Sequence, residues 1–158
     1  MLVRTLLAAL LIAMALGQAS DFAGFVEIVE TYRVGWGSIE PLFAGAVLGL
    51  ELASGLVLIG GRRLIDGRLL LAAAAAALIV TVGWSLLAVQ AFVRGLDIAN
   101  CGCFGVHFGQ SLRWWVLLED AEFILMAGWT LRGVRRAAAG RERSGGGRRA
   151  GVGRRAWV

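Results

Sequence analysis

Lysine is absent from this 158-residue chain, proline and histidine occur once each, and cysteine only twice. With no lysine, all sixteen basic residues are arginine, a pattern that reads as the codon bias of a GC-rich genome rather than as chemistry. One histidine, His107, and two cysteines, Cys101 and Cys103, fall one ligand short of the four that a structural zinc site normally uses. Charge is scarce as well: 17% of residues are charged, against about 25% in ordinary soluble domains. What fills the space is apolar, with 58% hydrophobic residues and a mean hydropathy of +0.74, so a soluble domain is a poor reading and an integral membrane protein a good one.

Four apolar stretches stand out, at about 2–19, 41–60, 69–93 and 112–131. Each is close to the ~20 residues that cross a ~30 Å hydrocarbon core as a helix. Lipid offers no partner to backbone polar groups, so the expected fold is all-α, a bundle of four transmembrane helices over residues 1–131. Nine arginines and one acid occupy residues 132–158, a net charge of +8, which leaves −3 for the rest of the chain. That Gly/Arg-rich segment lacks apolar periodicity and is expected to be a disordered, lipid-touching cytoplasmic tail, with nothing elsewhere in favour of nucleic-acid binding.

Short loops rich in arginine stay in the cytoplasm. The tail and the turn 61–68, with Arg62, Arg63 and Arg68 against Asp66, therefore predict an inside location for both chain ends. Segments 20–40 and 94–111 then face outward, the second of them carrying both cysteines, in a compartment where disulfides persist. The amino-terminal stretch also has the look of a secretory signal, with Arg4, an apolar run and small residues near Gly17 and Ala19; retention as a first span is the favoured reading. Phe22, Phe25, Ile28, Val29 and Tyr32 have the spacing of a helix lying on the outer surface.

Inside the spans a few polar residues invite a role. Gly45, Gly49 and Ala53 form a small-residue stripe suited to close helix contact, and Glu51, about 200° around the helix from Gly49, should point away from it at mid-membrane depth. A carboxylate there is costly unless neutral or paired; it either serves function or bonds Ser54, Thr81, Ser85 or Gln90 to fix helix register. In the last span Glu119 and Glu122 share a face, with Glu122 near the depth of Glu51. If they meet, both cannot ionise comfortably, and one holds a proton that a redox centre could use. Asp120 projects elsewhere and is expected to pair with Arg94 or Arg113.

The stretch Asn100-Cys101-Gly102-Cys103-Phe104-Gly105 is the most informative in the chain. Two thiols with one glycine between them can close on each other, and so small a ring gains little from loop entropy, which suits an exchange site better than a staple. Alternatively the two sulfurs are simply buried apolar atoms. His107 adds either a third ligand for copper or zinc, a group that activates a thiol, or no more than an interfacial ring.

The order of a short first span, an aromatic amphipathic stretch ending in Tyr32, Pro41 opening a span with Glu51-x3-Gly55, a basic turn, a third span, and Gly95 leading to Cys101-Gly-Cys-Phe-Gly105 before a last span resembles the MauE/DoxX-like membrane proteins over roughly residues 1–132. The resemblance implies a DoxX-like four-helix bundle related in layout to disulfide-forming enzymes of the vitamin K epoxide reductase type. It also implies a role in methylamine utilisation, in maturing the disulfide-rich small subunit of methylamine dehydrogenase. Carried onto this chain, Cys101 and Cys103 are the redox pair and Glu51 the buried acid.

The expected function is thus that of a thiol–disulfide redox protein of the bacterial plasma membrane, acting on an exported disulfide-containing client and passing electrons to a lipid-soluble acceptor such as a quinone. Cys101, Cys103, Glu51 and Glu122 are its candidate catalytic residues. A non-catalytic assembly or copper-handling factor is one contrasting class. A small proton-coupled transporter working through Glu51 is another.

Overall fold

The computed structural model describes the backbone of residues 1–34 and 39–152, and their side chains except at 62, 63 and 141–152. The described residues form five helices in order: α1 (Leu2–Ser20), α2 (Phe22–Thr31), α3 (Glu40–Leu64), α4 (Gly67–Val93) and α5 (Trp114–Val152). Among the described residues there is no strand. Three helices among the described residues are long and apolar enough to cross a membrane: α1, the Glu40–Gly61 part of α3, and α4. The molecule is an all-α membrane protein. The opening stretch of α5 fails the same criterion because Glu119, Asp120 and Glu122 interrupt it.

Start and stop signals sit where the chemistry wants them. Pro41 occupies the first turn of α3, where its missing N–H costs nothing. The Asp21 carboxylate accepts from the Gly24 backbone N–H at 2.9 Å to cap α2, and Asp66 caps α4 by accepting from the Arg68 N–H at 2.9 Å. α5 continues unbroken to Val152. Alanine and arginine, frequent between Arg132 and Arg143, are good helix formers.

α1 packs on α3, α3 on α4, α4 on α5 and α5 back on α1, so the four long helices close a ring, with α2 laid against α3. α2 turns Phe25 and Val29, four residues apart, into the core, joined by Tyr32 at its C-cap. The face that α3 buries runs Ala44, Val47, Glu51, Ser54, Leu58, steps of three and four that mark one side of a helix. Glu51 therefore points inward, as its angle from Gly49 requires, while Gly49 and Ala53 are exposed.

The small-residue stripe is consequently not a close helix contact: nothing lies within 4 Å of a Cβ built at Gly49, and one at Gly45 would meet Phe22 of α2 at 3.8 Å. The close approach is made at Gly55, where a Cβ would sit 2.7 Å from Ile12 Cγ1 and 3.0 Å from the Ala8 carbonyl oxygen. Gly55→Ala should then destabilise the protein by about 1–3 kcal/mol through overpacking, and Gly49→Ala by no more than about 0.5 kcal/mol. Thermal unfolding of both variants in detergent checks the order.

Candidate functional site

Both cysteines lie in the segment that joins α4 to α5, and its backbone is tied off before it reaches them. The Leu112 N–H donates to the Ile98 carbonyl at 2.9 Å and the Cys101 N–H to the Gln110 carbonyl at 2.8 Å, forming a neck. Within the loop Asn100 works at both ends of its side chain: Oδ1 accepts from the Gly102 N–H at 2.9 Å and Nδ2 donates to the Gly105 carbonyl at 3.1 Å. Such an Asx turn is a habit of asparagine, and here it needs left-handed backbone at Gly102 (φ 82°) and Gly105 (φ 72°), which glycine adopts freely. The two sulfurs end 3.5 Å apart, both as free thiols.

The loop is seated on the bundle by three contacts. A side chain at Gly17 would collide with the Phe104 backbone, and one at Gly105 with the Gly17 backbone, so α1 and the loop touch main chain to main chain. Next to Gly17, the buried Gln18 donates from Nε2 to the Cys103 carbonyl at 3.3 Å. From the C-terminal end of α2, the Tyr32 hydroxyl donates to the Cys101 carbonyl at 2.8 Å. Tyr32 is itself held by α4, since Gln90 Nε2 donates to its carbonyl at 3.1 Å.

Behind this seat lies Glu51, fully enclosed. The Trp84 indole N–H donates to Glu51 Oε1 at 2.8 Å, and the Trp84 ring packs at 6.0 Å from Phe25 and 6.3 Å from Tyr32, tilted against both. Glu51 Oε2 is buried without a hydrogen-bond partner, although Gln18 stands near enough to act on the carboxyl. Two short bridges thus join the cysteine loop to the enclosed acid, one through Tyr32 and Trp84, the other through Gln18. Among the described residues Ser54, Thr81, Ser85 and Gln90 make no hydrogen bond to Glu51; Thr81 donates to the Leu78 carbonyl and Gln90 is taken by Tyr32.

The two thiols titrate as an interacting pair. The hydrogen bond from Cys103 brings Cys101 down to about 7, against the opposing effects of burial and of Asp120 and Glu119. Cys103, which keeps the proton, is pushed up by that same bond and then by burial. Burial, and after it the two neighbouring sulfurs, raises Tyr32, so it stays a neutral donor.

The acids of α5 and the histidine fall differently from the sequence expectation. Asp120, not Glu122, faces inward: it is buried with one carboxylate oxygen, Oδ2, unpartnered, on the face shared by Val116 and Ala127. Glu122 lies two residues on, about 200° around, and is exposed, so it does not join Glu51. Glu119 is exposed too and accepts both its bonds from Gln110, at 3.0 and 3.2 Å. Asp120 does not pair with Arg94, which is used by the carbonyls of Tyr32 and Arg33 and by Gln90. His107 is exposed on the loop, and among the described residues no three His, Cys, Asp or Glu side chains gather as metal ligands; the Cys101, Cys103 and His107 set is not assembled, because the sulfurs turn in and the ring turns out.

Residues 1–133 match the family of methylamine utilisation protein MauE. The chain belongs to the MauE family. The match takes in α1 to α4, the cysteine loop and the first half of α5, and so every group of the site. No curated protein and no solved structure matches the chain. Within this MauE-family protein Gln18, Trp84 and Asn100 are the site residues that sequence reasoning passed over. Only Asn100 had a signal, an Asx-turn former just before a Cys-Gly-Cys step.

Two outcomes test the geometry. In the reduced protein the rate of Cys101 alkylation by a neutral reagent should climb with pH as thiolate forms and reach half its plateau near pH 7; Cys103→Ala removes the donor and should move that midpoint up toward the ordinary 9.0, while Cys103→Ser should move it less. Trp84→Phe strips Glu51 of its donor and should cost about 1–3 kcal/mol, a penalty that a double-mutant cycle should find largely gone beside Glu51→Leu.

Proposed function

We propose that this protein is a membrane thiol–disulfide redox factor that acts on an exported cysteine-bearing client, in keeping with the methylamine-utilisation role of its family. The observation that carries the reading is the pair of free thiols 3.5 Å apart across one glycine, on a loop bonded at both carbonyls to the groups around a buried acid. One bond closes that pair, and Cys101 is the sulfur that ionises near neutral pH, the property of a thiolate that leaves readily when its disulfide is attacked.

In the oxidised form a client thiolate attacks one sulfur of the Cys101–Cys103 disulfide, making a mixed disulfide and freeing the other sulfur as a thiolate. A second client thiolate displaces the attached cysteine, leaving an oxidised client and a reduced pair. Restoring the disulfide releases two electrons and two protons, which go to a lipid-soluble quinone taken as substrate. An apolar cleft of about 180 Å³ between α3 and α4, with Phe43, Leu50 and Trp84 in its wall, suits a quinone ring, and Trp84 links that wall to the Glu51 carboxyl.

The same reading makes 114–131 of α5 a fourth span in a multi-pass protein of the bacterial plasma membrane. Its acids are few and early: Glu119 is met by Gln110, and Asp120 faces the bundle interior. Arg4, Arg68, Arg132 and Arg136 lie at the helix ends remote from the cysteine loop, which favours a cytoplasmic location for that end and an extracytoplasmic one for the sulfurs.

Labelling in intact cells tests both location and chemistry. An impermeant maleimide should reach the reduced pair from outside, and a Cys101→Ser or Cys103→Ser variant should trap a client through the remaining sulfur, seen as a reducible adduct. Labelling from the cytoplasmic side alone sinks the proposal. If both serine variants are silent while Glu51→Gln abolishes function, the protein is a proton-coupled transporter instead.

A further inference from the structure

The end of the bundle remote from the cysteines holds polar groups that the redox chemistry does not use. A cavity of about 330 Å³ lies between residues 1–4 at the start of α1 and Trp129, Thr130 and Gly133 of α5. Thr130 is 5% exposed, and its hydroxyl has no hydrogen-bond partner. The Arg4 guanidinium packs against the bare face of Gly61, with its Nε buried and unpartnered, and among the described residues no hydrogen bond or ion pair reaches it. A part-buried guanidinium without an anion is costly, and so is an enclosed hydroxyl with nothing to bond.

Three further features fix what would satisfy them. The first-turn amides of α1 have no partner within the helix and bring the positive end of its dipole to the same space. Trp129 is exposed beside the cavity, and tryptophan settles at the headgroup layer of a bilayer. Arg132 and Arg136, both exposed, border a smaller adjoining cavity, and nothing lies within 4 Å of a Cβ at Gly133, so the way in from the lipid side is open. An anion with several acceptor oxygens, held at headgroup depth, meets every one of these demands.

We propose that this cavity binds the phosphate of an anionic phospholipid, with the Arg4 guanidinium and the Thr130 hydroxyl as its donors. The site is separate from the cysteine loop, and its occupancy does not depend on redox activity.

The test uses the full chain in nanodiscs of phosphatidylcholine alone, of phosphatidylcholine with phosphatidylglycerol, and of phosphatidylcholine with inorganic phosphate in the buffer. Native mass spectrometry after release counts retained lipid, and thermal unfolding is followed in parallel. The wild-type chain should retain one phosphatidylglycerol and unfold at a higher temperature when that lipid is present. Arg4→Gln and Thr130→Val should each weaken retention by about tenfold, or ~1.4 kcal/mol. Arg4→Lys, which keeps the charge but not the planar fork, should fall between wild type and Arg4→Gln and covers the case in which the glutamine variant does not fold. Arg68→Gln, a basic residue outside the cavity, should retain the lipid as wild type does. Equal retention of the two lipids, wild-type binding by both Arg4→Gln and Thr130→Val, or a loss in Arg68→Gln as large as in Arg4→Gln overturns the site. Stabilisation by inorganic phosphate equal to that by phosphatidylglycerol overturns the lipid as its occupant.

Discussion

Glu51 is enclosed on every side in a bundle built almost wholly of carbon, and a carboxyl so placed must be met by donors from neighbouring helices or remain neutral. The donor it has is the Trp84 indole. Fixing that ring fixes what stacks on it: Phe25 and Tyr32 from α2 lean on Trp84, and Tyr32 then reaches the Cys101 carbonyl. On the α1 side Gln18 sits beside the same carboxyl and holds the Cys103 carbonyl. The position of the thiol loop is therefore dictated from below by one buried acid, through a layer that only aromatic rings and an amide compose. Gly17 is the permissive element, because any side chain there would keep the loop off the helix.

The loop brings its own order to that seat. Asn100 and the two positive-φ glycines close the turn locally, the neck at 98–112 anchors it, and the bundle adds donors to the two cysteine carbonyls, Tyr32 and Gln18. A loop organised in this way holds its sulfurs close, and joining them needs the pair to close from 3.5 Å to about 2.05 Å. Because three residues enclose so small a ring, a bond between them would add little stability, so the pair is free to serve exchange rather than architecture.

How much of this could be read from the chain depended on whether a property belongs to one segment or to two. Apolar length belongs to single segments, and it gave helices α1, α3 and α4. The choice of helix face does not. Gly45, Gly49 and Ala53 look like a contact stripe in isolation, yet the tight contact falls on Gly55, because Ala8 and Ile12 of α1 lie opposite it. Glu122 and Asp120 are indistinguishable by depth, and only the packing of Val116 and Ala127 shows that Asp120 faces in. Gln18 and Trp84 were silent for the same reason: a glutamine at the end of an apolar run and a tryptophan in an uncharged span acquire meaning only from the acid across from them.

Side-chain volume along α4 explains why the site lies at one end of the bundle and not in its middle. The buried face of α4 begins with Leu70, Ala73, Ala74 and Ala77, which pack with Leu7, Ala8, Leu11 and Leu58 in a core of small and aliphatic groups. Alanines let helix axes come close and leave no space that needs filling. From Val80 onward the same face carries Trp84 and Leu87, and the core there takes in Phe25, Tyr32, Ile98 and Cys101. The alanine-lined part packs helix on helix, and α2 and the cysteine loop complete the core around Trp84. A substitution that enlarged Ala73 or Ala77 would push the helices apart at the end opposite the sulfurs, whereas one that shrank Trp84 would remove both the donor to Glu51 and the wedge that makes room for the loop, so the two ends answer to different residues on one helix.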